Sequence, residues 1–270
     1  MNELTTRPTA ELQSEIDSDW GDLPKKMTPV ICRIGQATSR GKVKIGAFNY
    51  QDRPDWEPTE KIEHAVLLKV VRTRVLYGKT FESPARCGSD DFNKPSQRIK
   101  NPVSSSCHLC PASQWVENLD YDGADVRDAL INELTPKKVT NAPLCTTTYN
   151  LIVVDKRMFP FVLQAQRTQI KNVDINLINR LRFSGQRIFA QAFDLGLRKI
   201  ENSDGTWYEY TFENFRPSEN VEEFQRFHSM FKTSGEQVLA EQHAAMDAEK
   251  LAAEKQGANQ TWDDSEEIPF

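Results

Sequence analysis

Cysteine is the residue of this 270-residue chain whose spacing most clearly indicates chemistry. Cys107 and Cys110 stand three positions apart, with His108 between them. A turn between two such thiolates aims both sulfurs at one tetrahedral Zn²⁺, and two thiolates from separate loops complete an all-cysteine site. The sequence therefore predicts one structural zinc held by Cys87, Cys107, Cys110 and Cys145.

The alternative for each cysteine is an ordinary buried thiol, and this is how we interpret Cys32 in the first predicted strand. A catalytic zinc keeps an open coordination position with a carboxylate nearby. The chain has no His-Glu-x-x-His, no Gly-x-x-x-x-Gly-Lys-Ser/Thr, no Gly-x-Ser-x-Gly and no Pro-Cys-x-x-Cys. We therefore predict a structural metal and no enzymatic activity.

The last nine residues, 262–270, form a second unusual group. They read Trp-Asp-Asp-Ser-Glu-Glu-Ile-Pro-Phe, so that four acids precede an apolar end. In a partner's pocket the Phe270 ring would be buried while a basic residue holds the adjacent carboxylate, and proline lowers the entropy cost of ordering the segment. The predicted partner-binding residues are Trp262, Asp263, Asp264, Glu266, Glu267, Ile268, Pro269 and Phe270.

Charge is divided unevenly along the chain, although the formal net charge is only −5. Residues 1–23 hold six acids and one base, and residues 234–270 hold nine acids and two bases, so the middle is basic. We expect the basic middle to bind a polyanion, and the acidic ends to bind other partners or to compete for the same surface. Solvated surface charge with disordered ends is the alternative interpretation.

Basic and aromatic residues are interleaved within residues 25–100, which hold 16 bases against 8 acids. A basic groove follows the phosphates of a single strand, and aromatic rings stack on its bases. The candidate contacts are Lys42, Lys44, Phe48, Tyr50, Lys69, Arg72, Arg74, Tyr77 and Lys79, with Trp207, Tyr208 and Tyr210 as a second group. For each aromatic residue, a place in the hydrophobic core is the alternative.

Alternating apolar residues predict mostly β structure. Strands are predicted over 29–34, 41–50, 64–77, 150–154 and 161–164, and a hairpin over 187–200 and 206–215. Helices are predicted over 125–134 and 173–181 and after Ser218, where Phe224, Phe227 and Phe231 recur at helical spacing. This pattern predicts a β-rich α+β fold, a small barrel with insertions.

The predicted organisation has five parts. An acidic disordered arm (1–24) precedes a body (25–233) with a cysteine-bearing insertion at about 85–147; an alanine-rich helical or disordered linker (234–261) and the acidic tip (262–270) follow. The chain has no long apolar run and no signal-peptide pattern, and its odd number of cysteines suits a reducing compartment. We expect a cytoplasmic protein.

Asp263 to Phe270 resembles the C-terminal tip of bacterial single-stranded DNA-binding proteins, in which an acidic run closed by Ile-Pro-Phe recruits replication and repair enzymes. The body differs from bacterial members, whose barrel is shorter and lacks a cysteine cluster. In its order of features it resembles instead the zinc-containing single-stranded DNA-binding proteins of bacteriophages. That resemblance implies an elaborated oligonucleotide-binding (OB) barrel whose second and third strands bind DNA.

We therefore expect a bacteriophage-type protein that coats single-stranded DNA during replication, recombination or repair in the cytoplasm of a bacterial host. Its tip would recruit a polymerase, helicase or primase. Two other classes stay open. One is a zinc-ribbon replication or transcription adaptor that binds proteins through its acidic ends. The other is a nuclease, in which scattered Asp and Glu residues gather around Mg²⁺.

Overall fold

The computed structural model describes residues 29–36, 43–51, 53, 55–79, 83–134, 140–202, 205–232, 240, 241, 244, 247 and 248. The N-terminal arm, Lys42 and the acidic tip lie outside these ranges, as does most of the alanine-rich linker. Within the ranges, no helix is long and apolar enough to cross a membrane.

The described part of the chain forms one eight-stranded sheet, as the β-rich pattern predicted. Its spatial order is β2-β1-β6-β5-β3-β7-β8, with β4 paired to β3 beside this path. Strands β1 and β6 run parallel, and the other paired strands run antiparallel. In chain order the strands are β1 (Val30–Ile34), β2 (Phe48–Tyr50), β3 (Lys61–Leu76), β4 (Cys87–Ser89), β5 (Thr146–Val154), β6 (Pro160–Gln166), β7 (Gln191–Asn202) and β8 (Gly205–Pro217).

The sheet curls into a half-barrel because its two outer strands approach each other through side chains. Gln36, just after β1, donates from Nε2 to the Tyr208 carbonyl at 3.1 Å and accepts the Tyr208 N–H at 2.9 Å. The Phe48 ring of β2 stacks on Tyr210 of β8 with centroids 6.2 Å apart. Gly46 has a φ of +71°, and a Cβ there would lie 2.9 Å from the Tyr208 ring, so this approach requires glycine.

Strand β2 is shorter than predicted. The sequence predicts a strand over 41–50, but residues 43–47 form a turn and only Phe48–Tyr50 is extended. The Asn49 side chain accepts the Lys44 N–H at 2.9 Å and donates to the Lys44 carbonyl at 3.0 Å. These bonds satisfy backbone groups that a strand partner would otherwise take, so the turn replaces the predicted start of the strand.

Five helical segments complete the fold of the described chain, apart from short 3₁₀ turns and the separately described helical residues 240, 241, 244, 247 and 248. They are α1 (Tyr121–Leu134), α2 (Thr168–Val173), a π-helical turn (Asp174–Ile178), α3 (Asn179–Phe183) and α4 (221–232). Val173, Leu177 and Leu181 point into the curl of the sheet, where they join its larger core. Phe224 and Phe231 of α4 are buried on the opposite face, as their spacing predicted. The sequence predicts Ser218 as the N-cap of α4, which is wrong because the helix begins at 221 and the buried Ser218 hydroxyl bonds no described residue.

The segment between β3 and β5 has a small core of its own. Buried Leu76, Cys87, Cys110, Ala112 and Leu130 pack together in it. The Arg127 guanidinium is also buried, and its Nη2 donates to the Thr140 and Ala142 carbonyls at 2.7 Å. The cysteine-bearing insertion is thus a packed unit attached to the end of β3.

Candidate nucleic-acid interface

One edge of β3 is left open in its middle. β5 pairs with β3 from Val66 to Val75 along one edge. On the other edge β7 pairs only up to Val66, and β4 pairs only from Arg74 onward. Residues 67–73 therefore face no described strand on that edge. The ring nitrogen Nδ1 of His228 on α4 lies 2.7 Å from the Leu68 carbonyl and partly covers the gap.

A groove of about 440 Å³ lies along this open edge, between β3, the π-helical turn and α4. We call it the strand-edge groove. Its hydrophobic floor includes Val70, Ile178, Leu181 and Ile188. Its polar lining comprises Lys69, Arg72, Tyr149, Asp174, Arg182, Gln186 and His228. A concave apolar site with a few converging polar groups is the usual form of a ligand site.

Positive charge dominates the lining. Among the described residues, no carboxylate lies within ion-pair distance of Arg72 or Arg182. The acid of the groove, Asp174, accepts the Tyr149 hydroxyl at 3.4 Å. Burial, followed by the Asp174 charge, raises the pKa of Tyr149, so this phenol stays a neutral donor. The two arginines are therefore available to an anion.

The end of α3 carries an exposed aromatic residue that follows the groove residue Arg182 in the chain. Phe183 is 88% exposed, next to Arg182. Arg180 and Arg187 flank it, and neither forms an ion pair with a described carboxylate, although Arg180 lies 4.1 Å over the Phe215 ring. An exposed aromatic residue in a segment that also holds three arginines has the residue types that single-strand binding uses for base stacking and phosphate contacts.

Sequence reasoning missed this segment. Leu177 and Leu181 gave it the spacing of a core helix, and that interpretation is correct for its inner face. A signal was nevertheless present, because no acid stands between Asp174 and Asp194 while three arginines do.

Arg72 and Arg74 link the groove to the insertion. Both lie on the same face of β3, and their guanidinium carbons stand 4.7 and 3.8 Å from the centre of the Phe92 ring. Arg74 also donates from Nη1 to the Cys107 carbonyl at 2.6 Å. The predicted contact Arg74 is thus occupied by the insertion, whereas Arg72 reaches the groove as well.

The four cysteines of the insertion lie close to one another. Cys87 is on β4, Cys107 and Cys110 bracket a turn, and the Cys145 N–H donates to the Ala112 carbonyl at 2.8 Å. The N–H groups of Ala112 and Ser113 point to the Cys110 sulfur, as does the Ser89 hydroxyl to Cys107. Burial raises the pKa of the Cys107, Cys110 and Cys145 thiols, so without a metal they are protonated.

The fit of these cysteines to zinc is mixed. Four thiols in one buried region with N–H donors at sulfur suit a thiolate metal site. Within the described ranges, however, no three or more His, Cys, Asp or Glu side chains are arranged to hold a metal ion. The His108 ring lies 2.7 Å from the Asn93 amide oxygen. Cys32 lies apart from these four cysteines and is a buried thiol of β1, as predicted.

Three aromatic residues predicted to stack on bases belong to the core instead. Phe48 is 0% exposed and Tyr210 is 2% exposed, and their rings stack on each other. Tyr50 is also buried, and its hydroxyl accepts Arg157 Nη2 at 2.8 Å. The prediction is wrong for these three, because alternation along a strand does not tell which face meets solvent.

The other predicted contacts are scattered. Lys69 lines the strand-edge groove and donates from Nζ to the Lys232 carbonyl at 3.1 Å, and exposed Lys44 lies 3.5 Å from Glu60. Tyr77 is half-buried, and its hydroxyl accepts the Gln166 amide at 3.4 Å. Trp207 and Tyr208 are half-buried on β8. The structure brings Lys69 and Arg72 together at the strand-edge groove, and Arg74 shares the Phe92 ring with Arg72.

Lys79 lies at a different cavity. This second cavity of about 540 Å³, which we call the insertion groove, lies past the end of β3. Pro84, Ala85, Ile99 and Leu134 form its apolar lining. Its charged lining comprises Lys79, Arg86, Arg98, Lys100 and Glu133.

Comparison with known proteins gives no family for this chain. It matches no protein-family model, no curated protein and no solved structure. The features of the chain that bear on function are therefore the two grooves, the cysteine cluster and the sequence of the C-terminal tip.

Proposed function

We propose that this protein binds single-stranded DNA in the strand-edge groove and coats it during replication, recombination or repair. The observation that carries the proposal is a groove lined by Arg72 and Arg182, with the exposed Phe183 next to Arg182 in the chain. Arginine holds phosphate through paired N–H donors, and each stacked base contributes about 1–3 kcal/mol. Both interactions are indifferent to base identity, so the binding has little sequence preference.

The same geometry favours single strands over duplexes. Phe183 can stack only on a base whose face is free, and the bases of a duplex already stack on one another. We also propose that the curled sheet is a barrel of the oligonucleotide-binding type. Barrels of this type bind single strands on one face, which supports the proposed function.

Fluorescence anisotropy with a labelled oligothymidine and a duplex of equal length tests the function. We expect the single strand to bind far more tightly, with an affinity that falls steeply as salt rises. Arg182→Ala should weaken binding, and Lys156→Ala, at an exposed site remote from the groove, should leave it unchanged. Equal affinity for both oligonucleotides would contradict the proposal.

We also propose that the acidic tip recruits a replication polymerase, helicase or primase of a bacterial host, as in the phage-type proteins that the chain resembles. Its four acids and Ile-Pro-Phe end suit a basic pocket with an apolar centre. A labelled peptide of residues 262–270, titrated with the three purified host enzymes, tests this. Binding to none of them would contradict it.

A structural zinc held by Cys87, Cys107, Cys110 and Cys145 is part of the proposal. The metal would fix the insertion and, through the Arg74 contact to Cys107, the Phe92 loop beside Arg72. Metal analysis of protein purified without chelator should find about one zinc per chain. Cys110→Ser should lose that zinc, and Cys32→Ser, the matched buried control, should keep it.

A second candidate function, a zinc-ribbon adaptor, has one observation in its favour. Leu109, Trp115 and Tyr121 of the insertion are 75%, 52% and 80% exposed, which suits a protein partner. The adaptor would bind the oligothymidine poorly at every salt concentration, so the anisotropy experiment separates the two functions.

A further inference from the structure

The C-terminal segment contacts the wall of the insertion groove. The Asp247 carboxylate forms an ion pair with Arg98 Nη1 and accepts the Ala85 N–H at 3.4 Å. Arg98 and Ala85 both line the insertion groove. The groove wall thus already holds one carboxylate of the C-terminal region.

The groove has further capacity for negative charge. Exposed Lys79 and Lys100 line it and form no ion pair with a described carboxylate. Arg86 differs, because its Nε donates to Glu133 at 2.6 Å. Two lysines that pair with no carboxylate in the described part of the chain therefore line a cavity beside Arg98, which is already paired.

The remaining lining is apolar and of suitable size. Pro84, Ile99 and Leu134 form one part of the wall, and the volume of about 540 Å³ lies in the range of ligand pockets. Lysines beside an apolar wall match a peptide that carries acids next to an apolar end. The chain contains such a peptide in Asp263 to Phe270.

We propose that the insertion groove is the docking site of the chain's own acidic tip, residues 263–270. Residues 249–270 follow the anchored Asp247 closely and, when extended, span up to roughly 70 Å, so the tip can return to the groove. The anchor keeps the effective concentration of the tip at the groove high. Lys79 and Lys100 hold its acids, and the apolar wall takes the Phe270 ring.

This docking controls when a partner enzyme can bind the tip. A partner enzyme must take the tip from the insertion groove, and the strand-edge groove stays free for DNA. The inference rests on the proposed recruiting role of the tip but not on DNA binding, which the anisotropy experiment measures separately.

Photo-crosslinking of the full chain tests the docking. The chain carries Phe270→p-benzoylphenylalanine and is irradiated without DNA, and the crosslinked peptides are identified by mass spectrometry. We expect crosslinks to residues 79–86, 98–101 or 133–134. Lys79→Glu with Lys100→Glu should reduce their yield at least fivefold, and Lys94→Glu, on the exposed surface of the same insertion, should not.

Two outcomes would overturn the proposal. Crosslinks confined to residues 67–72 or 178–188 would place the tip in the strand-edge groove, in competition with DNA. No crosslink to the body would show that the tip is not held. Mixing ¹⁵N-labelled and unlabelled chains identifies the source of the tip, and crosslinks only between two chains would overturn docking within one chain.

Discussion

The two grooves beside β3 are both basic, but they differ in what accompanies the charge. The strand-edge groove has Arg72 and Arg182, which form no ion pair with a described carboxylate, and the exposed Phe183 follows Arg182 in the chain. The insertion groove has two lysines, an apolar wall and an arginine already paired with Asp247. Arginine with a free aromatic face suits phosphates and bases, whereas lysine with an apolar wall suits an acidic peptide. Net positive charge alone would not have distinguished them.

The largest expected effect comes from reversing charge in one groove at a time. Arg72→Glu with Arg182→Glu should weaken binding of a labelled oligothymidine by roughly 150-fold, because two charged contacts of about 1.5 kcal/mol each are lost. The matched pair Lys79→Glu with Lys100→Glu should change the affinity less than about threefold, through long-range charge only. Equal losses in the two pairs, measured by anisotropy, would remove the distinction between the grooves.

The exposed aromatic ring is the next test. Phe183→Ala should cost about 1–3 kcal/mol of binding free energy, which is roughly a 5- to 150-fold rise in Kd, because one base loses its stacking platform. Phe183→Trp should retain the affinity. Tyr121→Ala removes a similarly exposed ring from the insertion and should have no effect. A Phe183→Ala variant with the affinity of the original protein would show that bases stack elsewhere, with Trp207 and Tyr208 as the remaining candidates.

The salt dependence of DNA affinity compares the two grooves one basic side chain at a time. Loss of one phosphate contact should reduce the slope of log K against log salt by about 0.7 for a single strand. Arg182→Ala should show this change in titrations across several salt concentrations, and Lys100→Ala should keep the slope of the original protein. A change of slope in both variants would mean that DNA crosses both grooves.

The smallest effect on DNA is expected from Asp247→Ala. This change removes a carboxylate from Arg98 in the insertion groove and touches nothing in the strand-edge groove. Oligothymidine affinity should stay within about twofold, while the free energy of unfolding falls by about 1 kcal/mol as Arg98 loses a partner. Calorimetry and anisotropy on the same sample measure both quantities. A large gain in DNA affinity would show that the C-terminal segment blocks DNA directly.

Much of the fold could be predicted from local pattern. Turn residues and alternation located the β7–β8 hairpin, and helical spacing placed Phe224 and Phe231 in a core. The buried partners of Phe48 could not be predicted, because its stacking on Tyr210 depends on the curl that joins strands far apart in sequence. Local pattern fixes which residues share a face but not which face the rest of the chain covers.

The candidate site was predicted only in part, because the groove depends on pairing between strands far apart in sequence. Lys69 and Arg72 were recognised as basic residues of a long strand, and both line the strand-edge groove. The groove itself exists because β3 pairs with β7 only up to Val66 and with β4 only from Arg74 onward, which no local pattern encodes. Arg182 of α3 joins it because Leu177 and Leu181 pack into the core and hold this segment against the sheet.

The central claim is that single-stranded DNA lies in the strand-edge groove, and crosslinking from the DNA tests it most directly. An oligonucleotide carrying 5-iododeoxyuridine, bound to the full chain and irradiated, marks the side chains that stack on its bases. The account predicts crosslinks in peptides that contain Phe183 or Tyr149, lost when unlabelled oligothymidine is added in excess. Crosslinks confined to the insertion groove or to β8, or no specific crosslink at all, would contradict it.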